Sequence, residues 1–187
     1  MPAVPPILQS LLVLLSPFAL LLLEGKKLSK IPSLLGLHAK NFLGQAGGGV
    51  TLFFVTFGVL LVQTIVFTLF GVADGEKVSG VLQQQSFLTL FAIVFIAPVG
   101  EELLFRGYLQ KKISSLVGGS DKFGIIITSI LFAALHAGFG SVSELAGALT
   151  AALIFGWYVS KNKIILPVII AHALVNVYAV GVSNLAK

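Results

Sequence analysis

Apolar residues fall in long runs along this chain instead of alternating with polar ones. Six stretches stand out, at 7–23, 50–73, 87–110, 123–137, 145–159 and 164–182, with most of the lysine in the segments between them. A helix needs roughly 17–25 apolar residues to cross a hydrocarbon core about 30 Å thick. The pattern therefore predicts an all-α polytopic membrane helix bundle with about six transmembrane helices. The third stretch is broken at Glu101-Glu102 and resumes at Leu103-Leu104-Phe105. The fourth and fifth stretches, at 15 residues each, fall short of that length and need longer ends or burial by neighbours. No internal repeat, low-complexity run or heptad pattern is present, so residues 1–187 read as a single membrane domain. The first stretch has no lysine or arginine before it and reads as a retained helix, kinked at Pro17, not a cleaved signal. Gly47-Gly48-Gly49 reads as a flexible loop before the second helix, and Gln83-Gln84-Gln85 as a polar loop end. The small residues Ala146, Gly147, Ala148, Ala151 and Ala152 of the fifth stretch suit close helix packing.

Composition agrees with the pattern and removes several function classes. The chain is 57% hydrophobic and 10% charged, with a mean hydropathy of +1.03. Its net charge of +5 comes from lysines spread between apolar segments, which is not the basic stripe of a nucleic-acid binder. Without cysteine, disulfides, thiolate chemistry and cysteine-ligated metal are excluded. The lysines also orient the bundle. Lys26, Lys27, Lys30, Lys40, Lys111, Lys112, Lys122, Lys161 and Lys163 follow odd-numbered helices, whereas only Lys77 and Lys187 lie on the other side. The positive-inside rule then places the odd loops in the cytoplasm and both termini outside. His38, in the first basic loop, reads as a solvated surface residue.

The chemistry sits in three polar clusters inside these apolar segments: Glu101-Glu102 with Arg106, Phe132 with His136, and His172 with Asn176. Ionisable groups in hydrocarbon cost roughly 2.5–3.5 kcal/mol each and usually face a functional cavity. On a helix, Glu102 and Arg106 share a face and form an ion pair. Glu101, rotated by about 100°, is free to point elsewhere and is the expected working carboxylate. Phe132 would wall a pocket and dry it. Counting about 1.5 Å per residue puts Glu101 ~9 Å and His172 ~13 Å from the cytoplasmic boundary, but His136 nearly 20 Å from it. The site is thus expected in the cytoplasmic half, with His136 fitting only if its helix starts deep or tilts. If the clusters meet, a carboxylate can activate water while imidazole and carboxamide N–H groups stabilise an oxyanion. Glu101, His136 and His172 form an alternative zinc ligand set. Both routes hydrolyse an amide.

The three motifs, in this order on successive membrane helices, resemble the CPBP family: CAAX prenyl proteases of the Ras-converting type and prokaryotic Abi proteins. The resemblance covers about half of the chain, residues 88–180. It implies an intramembrane endopeptidase with a four-helix catalytic core at 87–182. Glu101 and His136 would activate water, His172 and Asn176 would line the oxyanion site, and Glu102, Arg106 and Phe132 would support the architecture. It implies a membrane-associated or lipidated peptide or protein substrate, CAAX-type C-terminal tails among them, membrane lipid as the other partner, and no nucleic acid. The expected location is a prokaryotic cell membrane. The family has been described both as zinc metalloproteases and as metal-independent glutamate proteases. No side-chain acceptor lies near His136 or His172 in sequence to orient a ligating ring, which favours the metal-independent form with no required cofactor. A non-enzymatic scaffold or bacteriocin-immunity factor of the same fold, a proton-coupled transporter and a polar packing network stay open as alternatives. Gly-x-Ser-x-Gly and His-Glu-x-x-His are absent, and Asp74 and Asp121 fall in loops, which excludes other protease classes.

Overall fold

A computed structural model of the chain describes residues 5–38 and 40–185, and all regular structure among them is helical. The helices are α1 (Pro6–Leu23), α2 (Ile31–Leu34), α3 (Phe42–Leu69) and α4 (Glu76–Gln83). They continue with α5 (Phe87–Leu116), α6 (Asp121–Leu135), α7 (Val142–Asn162) and α8 (Leu166–Leu185). Six are long and apolar enough to cross a membrane, α6 together with its 3-10 extension His136–Phe139. The protein is an integral, multi-pass all-α bundle. Its outer surface is correspondingly apolar, with Phe54, Val62, Phe87 and Leu135 all exposed, as a lipid-facing surface requires.

Local chemistry sets the helix ends. The side-chain oxygens of Ser86 and Ser141 accept from the backbone N–H groups of Thr89 and Glu144, at 3.2 and 3.1 Å, and so start α5 and α7. Pro17 lies inside α1 without ending it. Its missing N–H frees the Val13 carbonyl, and the Ser16 hydroxyl donates to that oxygen at 2.8 Å.

The helices differ from the sequence reading at several points. Gly47, Gly48 and Gly49 lie within α3, not in a loop before it. The reason is a close crossing with α8: a β-carbon at Gly49 would sit 2.7 Å from the Ile170 β-carbon. The polar stretch before Gln84 forms the amphipathic helix α4, and Gln83 donates to the Ser183 carbonyl at 2.6 Å. Asp121 opens α6 and is not a loop residue. The first basic loop folds back under the bundle, where Ile31, Leu35 and Ile165 are fully buried and Ile165 N–H donates to the Gly36 carbonyl at 3.1 Å. His38 is exposed, as expected.

These differences remove the depth conflict at His136. α5 runs on to Leu116, so Glu101 sits near the middle of a 30-residue helix, ~22 Å from its basic end. α6 begins at Asp121, which puts His136 at a similar ~22 Å. The start of α8 is roofed by the buried α2 segment, so counting from Lys163 understates the depth of His172.

The bundle has two distinct ends. At the basic end Lys112 pairs with Glu24 at 2.7 Å, Lys111 donates to the Leu34 carbonyl at 2.7 Å, and Ser160 donates to Asp121 at 2.6 Å. At the other end Asp74 accepts from the Ser141 hydroxyl at 2.8 Å and from the N–H groups of Ser143 and Val142 at 2.9 Å each. The Ser143 N–H, then the Ser141 hydroxyl and Val142 N–H, hold the Asp74 carboxyl far below the usual carboxylate range. Lys77 joins this clasp through Asp74 and the Gly140 carbonyl. Lys187 lies outside the described residues.

Candidate active site

Glu101, His136, His172 and Asn176 come from α5, the turn after α6, and α8, and all four line one cavity of about 560 Å³. α5 is not a regular helix there. π-Helical stretches, Ala92–Ile96 and Leu103–Leu109, flank the α-helical turn Ala97–Glu102 that carries both glutamates. In the first stretch Ala97 N–H donates to the Ala92 carbonyl, five residues back. The next donor in that register would be Pro98, which has no N–H. The Ile93 carbonyl left over accepts from Asn176 Nδ2 at 2.9 Å. This fixes which way the carboxamide faces and leaves its second N–H for the cavity.

The two glutamates separate by environment. The Glu102 side chain is fully buried, and Arg106 Nη1 donates to its Oε1 at 3.0 Å. The Arg106 guanidinium stacks 4.4 Å from the centre of the Phe132 ring. Phe132 packs beneath the pair, edge-on to Phe105 and His172. Glu101 keeps a side chain 22% exposed and lies 3.8 Å from His172 Nε2 through Oε2. α1 reaches this point because residue 100 is glycine: a β-carbon there would meet the Leu14 backbone at 2.7 Å.

Both histidines are held through Nδ1. His172 Nδ1 donates to Glu102 Oε1 at 2.9 Å, and His136 Nδ1 donates to the Phe132 carbonyl at 3.0 Å. A carboxylate and a carbonyl oxygen only accept, so each ring carries its proton on Nδ1 and turns Nε2 towards the cavity. The acceptors missing from the neighbouring sequence are therefore supplied by tertiary contact and by the helix backbone. This removes the reason given above for preferring a metal-independent site. Zinc meets a different obstacle: among the described residues no three His, Asp or Glu side chains gather as a ligand set. The arrangement does not fit a three-ligand zinc site, and the chemistry below uses none.

Glu144 is a site residue that sequence reasoning missed. It lines the same cavity as Glu101, His136 and His172. Ser141-x-x-Glu144 looks like a helix capping box, which hides the second carboxylate in an ordinary signal. Its one visible sign is an acidic residue at the edge of a membrane-length apolar run. α1 is the other missed contributor, with Gln9, Ser10 and Val13 in the wall.

A family model described as type II CAAX prenyl endopeptidase Rce1-like matches residues 83–178, the segment that holds every motif above. The chain belongs to the Rce1-like family. It is also 32% identical over 121 residues to UPF0177 protein YxdF of Lactococcus lactis subsp. lactis (strain IL1403), a match covering 64% of this chain and 63% of that protein. The chain therefore spans less than two thirds of that relative's length. No solved structure matches it. Both α1 and the whole of α3 lie outside the matched segment, yet α1 contributes to the cavity wall.

Proposed function

We propose that this Rce1-like protein is an intramembrane endopeptidase that hydrolyses peptide bonds of membrane-associated substrates, with 87–182 as its catalytic core. The observation that carries the reading is the convergence of Glu101, His136, His172 and Asn176 on one cavity above a neutralised Glu102–Arg106 pair. Charge balance supports it. Glu102 and Arg106 cancel, and one proton on the Glu101–His172 pair leaves these four groups neutral together, as burial demands. With that proton on His172 Nε2, Glu101 is a free base and His172 a donor.

The steps follow from these positions. Water in the cavity donates one hydrogen bond to Glu101 and the other to the bare Nε2 of His136. Glu101 takes its proton while the oxygen attacks the peptide carbonyl. The second N–H of Asn176 and Nε2–H of His172 stabilise the resulting oxyanion. The C–N bond breaks as protonated Glu101 returns its proton to the leaving amine. Glu102, Arg106 and Phe132 hold His172 and His136 in register. Removing an oxyanion donor of this kind costs about 10²–10³ in rate, the loss expected for Asn176→Ala.

The natural setting is a prokaryotic cell membrane, with lipid and a membrane-associated or lipidated peptide as partners. The test is purified protein in detergent with prenylated CAAX, unprenylated and leader-type peptides, products read by mass spectrometry. Cleavage of at least one class, lost in Glu101→Gln, is expected. Intact peptides throughout would favour the scaffold or immunity-factor reading, and proton flux without cleavage the transporter reading.

A further inference from the structure

The outer lining of the catalytic cavity lies towards one end of the bundle, and among the described residues that end holds a single lysine, Lys77. Its outer lining comes from the start of α1 (Pro6, Ser10), from α4 (Val78), from the turn after α6 (Phe139) and from the last turns of α8 (Val180). All belong to the end clasped by Asp74, Lys77 and Gly140. Towards the other end the site is closed: Glu102, Arg106, Leu103 and Phe155 lie directly beneath it, and Ile31 and Ile165 below them, each at most 2% exposed. Nine lysines crowd that closed end, in loops the structure ties together through Glu24–Lys112, Leu34–Lys111 and Asp121–Lys163.

An excess of lysine in short loops marks the cytoplasmic side, and acidic residues weigh little in that bias. On the open side the described residues hold one lysine, Lys77, which is already bound to Asp74. We infer that the cavity is served from the membrane face opposite the basic loops, so that its substrate is an apolar peptide segment presented from the extracytoplasmic side and not a cytoplasmic C-terminal tail. The lining fits such a peptide. Leu12, Val13, Val78, Leu82 and Phe139 offer apolar contact, and Glu144 is the one charged side chain in the wall besides the catalytic group. The entry of α8 is plugged by the folded-back first loop, so a tail coming from the basic side meets packed side chains, not a mouth.

This inference rests on the endopeptidase reading, and its test separates the two. The chain has no cysteine, so single cysteines report sidedness without background. Ser10→Cys and Gly138→Cys mark the open end, and Ser115→Cys, exposed at the basic end, is the control. Protoplasts are treated with a membrane-impermeant cationic methanethiosulfonate before and after permeabilisation. S10C and G138C should react in intact protoplasts, and S115C only after permeabilisation. The reverse pattern overturns the inference and leaves the protease reading untouched. Proteoliposomes of Ser115→Cys, whose label sits away from the cavity, are then sorted by the same labelling and given an apolar peptide from outside. Cleavage confined to vesicles with the open end outward supports the inference, and cleavage confined to the opposite population overturns it. No cleavage in either population, with sidedness as expected, overturns the protease reading and with it the assigned substrate.

Discussion

Glu101 and Glu102 are neighbours in sequence in different environments, and on the proposed reading burial plus partners decide which is the base and which the structural ion. Glu102 accepts from both Arg106 and His172, so Glu102→Gln strands a buried guanidinium and releases an imidazole. Breaking one side of a buried pair costs about 3–5 kcal/mol, which a melting curve in detergent should show as a large loss. Glu101→Gln keeps the shape and should melt near wild type while losing cleavage. Equal melting losses in both variants would contradict the division. The i, i+4 spacing was enough to read this pair and the His172–Asn176 pair from the sequence. Glu144 was not legible, because a Ser-x-x-Glu start to a helix has a sufficient local explanation in capping. Nor was the partner of Asn176, since the Ile93 carbonyl is freed only by a π register that meets Pro98.

At the scale of elements, lengths and packing carried the information that the apolar runs lacked. The six runs gave the six spans, but not the extent of α5 or the helical state of Gly47 to Gly49. Both depend on neighbours: Gly49 is helical where α3 crosses α8 at Ile170, a contact no local propensity reports. Gly100 is the matching case beside the site, where α1 approaches α5 through its missing side chain. Gly100→Ala would drive a methyl group into the Leu14 backbone and push α1 off the cavity wall. Overpacking of this kind costs roughly 1–3 kcal/mol. A lowered melting temperature and weakened peptide binding are expected, and wild-type values for both would show that α1 does not wall the site. Asp74 offers a second test, because it joins the α3–α4 connection to the start of α7. Its carboxyl is held far below its ordinary value, so its stabilising contribution is present above the ordinary aspartate pKa of about 3.9 and is lost as pH falls towards the depressed folded value. Melting temperatures of wild type and Asp74→Asn should differ at neutral pH and converge on acidification below about pH 4. A gap independent of pH would place the effect elsewhere.

Across the whole molecule, a bundle apolar on its outside is asymmetric along its length, basic and closely packed at one end, with the outer cavity lining towards the other. The sequence reading expects the cavity in the cytoplasmic half, a depth counted from the edges of the apolar runs, whereas the inference above opens it to the other face. The buried first loop and the extended α5 make those edges poor markers of depth. Metal is a question at this scale too, since three helices would have to close on an ion. Because no three-donor set gathers among the described residues, activity should survive a zinc chelator. Loss of activity with chelator, restored by zinc and accompanied by stoichiometric bound metal, would replace the proposed water activation by Glu101. The central claim is that the cavity hydrolyses peptide bonds with water activated by Glu101, and the most direct measurement is cleavage of an apolar membrane peptide in ¹⁸O-labelled water. Wild-type protein should yield a new C-terminal carboxylate carrying one ¹⁸O atom, and Glu101→Gln, folded and equally abundant, should yield none. An unlabelled product, or equal labelled cleavage by Glu101→Gln, would contradict it.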